Sequence, residues 1–216
     1  MLELSTKTQV NRRFTLRELY KQMTADKAVK DDAKDIVTIA LSNVLSNETL
    51  NFTAAGSVKE IYVFTLTLSQ KIVPSLFISA LDKAINLHTF FVLQVGEEYC
   101  FYGAYKEKTE KGVKLGKYYQ TEWVNINEVK SLPLIVKTLD DVYTFLIDEL
   151  IPITARSKES TVEFVNRYDE ILRLNREIEK LQKQVDAEKQ SKKRFELNDR
   201  LKELKAKMLI LSNGEL

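Results

Sequence analysis

Phe164, Ile171, Ile178 and Val185 recur every seven residues, with Leu174 and Leu181 at the intervening position. This a/d heptad spacing belongs to a helix with one covered face. A second series, Leu197, Leu201, Leu204, Met208 and Leu211, advances by 4, 3, 4 and 3 residues. Val185 and Leu197 stand twelve residues apart, which at about 100° per residue leaves the series about 120° out of phase on one straight helix. The chain therefore turns near Glu188 to Lys192 or changes face there. A helical hairpin lets the two stripes cover each other. Ten of these side chains form the expected interaction seam: Phe164, Ile171, Leu174, Ile178, Leu181, Val185, Leu197, Leu201, Leu204 and Met208.

Before Pro152 the composition is different, with aromatics and β-branched residues in short runs. Thr15-Leu16-Arg17-Glu18 spells a capping box and opens a short helix to about Met23. Asp26 to Lys34 reads as a loop or helical turn. Ile36 to Leu45 fits either period, and its β-branched residues favour a strand. Ser46 to Thr49 reads as a turn. Lys59 to Ser69 alternates as a strand. Pro74 suits a helix start, with Leu76, Phe77, Ala80, Leu81, Ala84 and Ile85 at helical spacing. Thr89 to Val95 is an apolar run suited to a central strand. Gly96 to Glu98 turns the chain into a strand from Tyr99 to Tyr105. Lys106 to Lys117 reads as a charged hairpin loop, Tyr118 to Val124 as a strand, and Leu139 to Leu150 as a helix with Asp140 and Asp141 near its positive end. The expected architecture is α+β: a mixed-sheet domain with flanking helices over 1–151, then a charged coiled-coil-like helical hairpin over 152–216.

Lys and Arg number 33 against 31 Asp and Glu, a balance that argues against a surface built wholly for nucleic acid. The single cysteine, Cys100, excludes an internal disulfide and fits a reducing compartment. The N-terminus lacks the apolar stretch of a signal peptide, and no window approaches the roughly 20 apolar residues of a membrane span. A cytoplasmic location is expected.

Chemistry is sparsely encoded. One His and one Cys make a Cys/His zinc site untenable and weaken any Ser–His or Cys–His nucleophile. His88 reads as structural or surface, and Cys100 as buried and inert. No phosphate-cradling Gly-rich loop occurs; Gly112 to Gly116 lacks the Lys-Ser/Thr of one. A metal-dependent nuclease would draw on Glu60, Asp82, Glu97, Glu98 and Glu122. Glu128-Val129-Lys130 has suitable spelling but falls outside a convincing strand. The mixed-sign run Lys106 to Lys111 reads as solvated. Tyr99, Phe101, Tyr102, Tyr105, Tyr118, Tyr119 and Trp123 could stack bases but fit core and cross-strand pairs better. Residues 156–211 hold 15 Lys and Arg against 11 Asp and Glu. Within them Lys189, Lys192, Lys193 and Arg194 form a basic cluster at the hairpin's expected tip. Phosphate contact is physically open to it, though a solvated surface is the favoured reading.

Four stretches resemble the bacterial family catalogued as domain of unknown function 4391. They are Leu45 to Asn51, Val58 to Phe64, Tyr119 to Trp123 and Glu188 to Asn198, the last the most specific. The first departs from the family pattern at Asn47, where Pro is usual. The family carries no activity that transfers to a residue. The resemblance implies a setting: companions of DNA helicases and DNA methyltransferases in restriction-modification-like or phage-defence gene clusters. The resulting expectation is a non-enzymatic accessory subunit with no cofactor or metal. Its partner would be a protein of that kind or a second copy met through the helices, with DNA contact weak. The alternatives are a DNA-acting metal-dependent nuclease and a weak nucleic-acid-binding module.

Overall fold

The computed structural model describes residues 2–53, 56–109, 112–128, 130–132 and 136–213. It divides into two compact units, Met1–Leu150 and Ile151–Leu216. The result is an α+β fold: a mixed sheet with helices, and a C-terminal helical pair.

The first unit opens with β1 (Leu2–Glu3) and β2 (Gln9–Phe14). Helix α1 (Leu16–Gln22) starts on the expected capping box: Thr15 Oγ1 accepts from the Glu18 amide at 3.2 Å while Glu18 Oε2 accepts from the Thr15 amide at 2.7 Å. Asp26 caps α2 (Lys27–Asp32), so the polar run read as a loop or turn is a helix followed by a 3-10 turn. The ambiguous segment is a strand, β3 (Ile36–Ser46). The expected turn after it is a second capping box, Ser46 with Thr49, opening the single-turn α3 (Asn47–Leu50).

β4 (Glu60–Leu68), α4 (Ser75–Ala84) and β5 (His88–Val95) form a β-α-β unit, and β5 is buried over its first six residues. Pro74 sits one residue before α4 and offers no side-chain cap. Asp32 of α2 supplies it instead, its Oδ2 accepting from the Leu76 and Phe77 amides at 2.8 and 3.0 Å. β6 (Glu98–Thr109) and β7 (Gly112–Gln120) follow, then β8 (Val124–Asn125), β9 (Lys130–Ser131) and α5 (Leu139–Leu150).

The sheet order is β2-β3-β4-β5-β6-β7, with β8 on β6 and a separate β1-β9 pair. The β4–β5 and β1–β9 pairings are parallel and the others antiparallel. Side chains alternate across the strands. Phe64, Leu66, Phe91, Leu93, Cys100 and Tyr102 therefore share one face and pack with Leu19 of α1, Met23 just after it, and Phe77, Ile78 and Leu81 of α4.

Two expectations require correction here. The region read as the charged loop Lys106 to Lys117 is mostly strand. β6 runs to Thr109 and β7 begins at Gly112, and only Glu110 and Lys111 of that run lie outside the described residues. Gly116 is no loop glycine: a Cβ there would stand 2.8 Å from the Tyr105 carbonyl oxygen, where the β6–β7 register shifts between Ala104 and Lys106. The strand expected over Tyr118 to Val124 ends at Gln120 and resumes only at Val124. β2 was not anticipated, because Gln-Val-Asn-Arg-Arg-Phe has neither alternation nor strong β propensity.

In the second unit, Ser160 caps α6 (Thr161–Ala187) through a box with Glu163, and α7 (Ser191–Ser212) returns after a short link. The chain turns at Glu188 to Gln190 and forms a hairpin. Leu181, Val185 and Leu201 are its buried cluster, with Ile178, Leu197 and Leu204 against them.

Candidate functional site

Three places in the described residues gather polar or charged side chains: a closed network in the first unit, an open groove on its sheet, and the hairpin.

The network centres on Asp82, near the end of α4 where the helix dipole disfavours an anion. Its compensation is Lys106 of β6, whose Nζ donates to Asp82 Oδ1 at 2.5 Å and to the Leu87 carbonyl at 2.7 Å. Thr89 Oγ1 also donates to Asp82 Oδ1, and Tyr118 OH donates to Oδ2 at 2.8 Å. The two charged side chains are 3% and 0% exposed. The run Lys106 to Lys111, read as solvated, thus holds a buried cation at its first position. Beside it, Tyr143 OH of α5 accepts from the Lys106 amide at 2.6 Å and donates to the Ala104 carbonyl at 3.2 Å.

His88 is buried and meets the Tyr143 ring edge-on, centroids 4.4 Å apart. Burial, and then the Lys106 charge, push its imidazole down to about 4, so it is neutral at pH 7. Burial pushes the Tyr118 and Tyr143 phenols above their ordinary value and lowers the Lys106 ammonium. Every polar end is engaged and the charged pair is sealed from water, so the network holds α4, β5, β6, β7 and α5 together. Cys100 is equally closed: buried, with its thiol pushed up to about 12 by burial.

The remaining nuclease candidates do not converge with Asp82. Glu98 pairs with Lys71 at 2.5 Å on the surface. Glu60 lies at the start of β4, and Glu97 and Glu122 are exposed. Val129 of the Glu128 to Lys130 triplet lies outside the described residues, and Lys130 pairs with Glu149. Among the described residues no group of three or more His, Cys, Asp or Glu side chains could hold a metal. The aromatics pair within the sheet: Tyr102 stacks on Tyr118 at 5.0 Å, and Tyr99 and Phe90 pack on Phe101.

The groove, about 560 Å³, lies on the sheet face opposite α4 and is floored by Thr38, Ser42, Thr65 and Thr67 with Arg13 at its edge. Three of the four floor hydroxyls donate within the sheet: Thr38 to Thr67 at 2.9 Å, Thr65 to Ser42 at 3.1 Å, and Ser42 to the Val63 carbonyl at 2.9 Å. β2 forms an open sheet edge, blunted by Arg12, Arg13 and the register shift at Asn11.

The hairpin's ends differ. At the α7 C-terminus, Arg156 donates to the Ile210 and Asn213 carbonyls and Arg167 to the Leu211 carbonyl. Arg167 is itself buried, paired with Glu159 at 2.7 Å and bonded to the Thr154 carbonyl. Two arginines thus satisfy two of the orphan carbonyls of α7, those of Ile210 and Leu211. Along the stem, Glu170 pairs with Arg173 and Lys207, and Glu177 with Arg173 and Arg200. Of the expected seam, Phe164, Ile171, Leu174, Leu181, Val185 and Leu201 are buried, while Ile178, Leu197, Leu204 and Met208 are half-buried. At the tip, Lys189, Lys192, Lys193 and Arg194 are all exposed, and Phe195 beside them is 66% exposed.

Sequence reasoning missed the Asp82–Lys106 pair and the arginine caps, whose partners are remote in the chain. It also passed over Phe195, although a large aromatic inside a polar heptad position was a readable signal. No helix among the described residues is long and apolar enough to cross a membrane. A family model described as "Domain of unknown function (DUF4391)" matches residues 2–208. No curated protein and no solved structure matches the chain.

Proposed function

From a chain that belongs to the DUF4391 family, a family without an assigned activity, we propose a non-enzymatic accessory subunit that docks on a partner protein through its C-terminal hairpin. The setting implied by the family resemblance is a bacterial restriction-modification-like or phage-defence system, with a DNA helicase or methyltransferase as the partner. One observation carries the docking role. Of the eight exposed large apolar side chains in the described residues, three lie on the hairpin away from its tip: Val162 at 39%, Leu209 at 59% and Ile210 at 56%. Each leaves about 1–2 kcal/mol of burial unrealised in the free chain, and a partner surface would recover it.

The test is purification of the tagged full-length chain from its native host, beside a Leu209→Asp/Ile210→Asp variant of unchanged helicity. The chain is expected to elute with a helicase or methyltransferase and the variant to elute without it. A wild-type chain that elutes alone, or a variant that keeps the partner, would sink the reading. Mg²⁺- or Mn²⁺-dependent DNA cleavage by the purified chain, lost on Glu60→Ala or Glu122→Ala, would replace it with a nuclease.

A further inference from the structure

The hairpin tip concentrates charge of one sign, whereas the stem mixes both. The stem carboxylates Glu159, Glu170 and Glu177 are each held by arginine or lysine. Residues 189–194 carry four cations and no acid, and among the described residues none of the four has an ion pair or side-chain hydrogen bond. Lys192, Lys193 and Arg194 lie in the first turn of α7, at the end where the helix dipole repels cations. Intramolecular electrostatics gives no reason for them to be there. Phe195 follows directly and is the most exposed of the large apolar side chains described.

We infer that this tip binds single-stranded nucleic acid, with Lys189, Lys192, Lys193 and Arg194 meeting phosphates and Phe195 stacking on an unpaired base. Two arguments select this ligand over an acidic protein. A protein interface needs an apolar core within roughly 800 Å² per partner, and the tip offers a single exposed apolar side chain, whereas one ring suffices to stack one base. Clustered cations match the repeating phosphates of a strand, whose binding gains from counterion release. A duplex presents the phosphates but keeps its bases stacked inside, so it cannot use Phe195. The site is distinct from the docking face at Leu209 and Ile210, and either can fail without the other.

The experiment is fluorescence-anisotropy binding of the full-length chain to a labelled oligothymidylate and to a duplex of equal length, at low and at physiological salt. Phe195→Ala and a Lys192→Glu/Lys193→Glu/Arg194→Glu variant run in parallel, each first shown by circular dichroism to keep its helix content. The wild type is expected to prefer the single strand. Phe195→Ala should weaken single-strand binding about tenfold and leave duplex binding unchanged. The charge-reversal variant should weaken both and flatten the salt dependence. Any of three results overturns the inference: equal affinity for the two nucleic acids, no effect of Phe195→Ala on the single strand, or displacement of the oligonucleotide by polyglutamate as readily as by unlabelled strand. The last would assign the tip to an acidic protein.

Discussion

His88 shows how a residue with a catalytic reputation becomes a structural one. Its strand is central, so the imidazole is taken from water on all sides. Lys106 stands nearby, while a backbone bond to Lys106 and the charges of Asp140 and Asp82 act more weakly in the opposite direction. The folded pKa of about 4 lies below the ordinary 6.5. Between those values the unfolded chain binds the extra proton, so His88 contributes stability that is present above pH 6.5 and is lost as pH falls toward 4. Between pH 7 and 5 the loss amounts to about 2 kcal/mol. Denaturant unfolding followed through Trp123, the sole tryptophan, should show the wild type losing about that much more than His88→Gln over this range. Parallel stability curves for the two proteins would refute the neutral, buried assignment. The pair beside it obeys a harsher rule: removing one member of a buried ion pair typically costs about 3–5 kcal/mol, because the other charge is left unpaired. Nothing in the local sequence marks Lys106 for burial; its pairing with Asp82 of α4 decides it.

The elements divide by how local their signals are. The capping box at Thr15 and the helix Leu139–Leu150 form as their sequences imply, because the interactions span one helical turn, and Ser160 opens α6 with a box of the same kind. β3 was ambiguous because Ile36, Ile39, Ala40 and Val44 suit a helix face while Val37, Ile39 and Leu41 suit a strand face; pairing with β4 along nearly its whole length decides it. For the hairpin, the phase shift between heptad series carried the information, and the link at Glu188 to Gln190 forms without Gly or Pro. Isolated helices of this composition are marginal in water, so the Leu181–Val185–Leu201 cluster holds α6 and α7 together near the tip. Leu181→Asp with Leu201→Asp would bury two carboxylates there, at a cost of several kcal/mol. The expected outcome is a marked loss of ellipticity at 222 nm with Trp123 emission unchanged. Full helicity in that variant would show that the cluster is not what holds the hairpin.

At the scale of the whole chain, the contacts within residues 1–150 are dense enough to make a self-standing core: two helices cover one face of a sheet whose central strand is buried. We therefore expect a chain ending at Ile151 to be soluble and to unfold cooperatively. A molten or insoluble product would mean that the C-terminal helices complete the main core and that the two-part organisation is wrong. The functional proposals follow the same division, placing docking and nucleic-acid contact on the hairpin while the first unit supplies a stable body.

By itself the sequence determined the α+β class, the two periodicities, the Thr15 capping box and the out-of-phase apolar stripes, because each depends on residues within a few turns of one another. The tertiary structure alone decided the burial of Lys106 against Asp82, the neutrality of His88, the capping of α7 by Arg156 and Arg167, and the recruitment of weakly β-forming Gln9–Phe14 as an edge strand. Each of these joins residues between about twenty and fifty-five positions apart. Their energy comes from desolvation and hydrogen bonds that exist only once the sheet and helices have met.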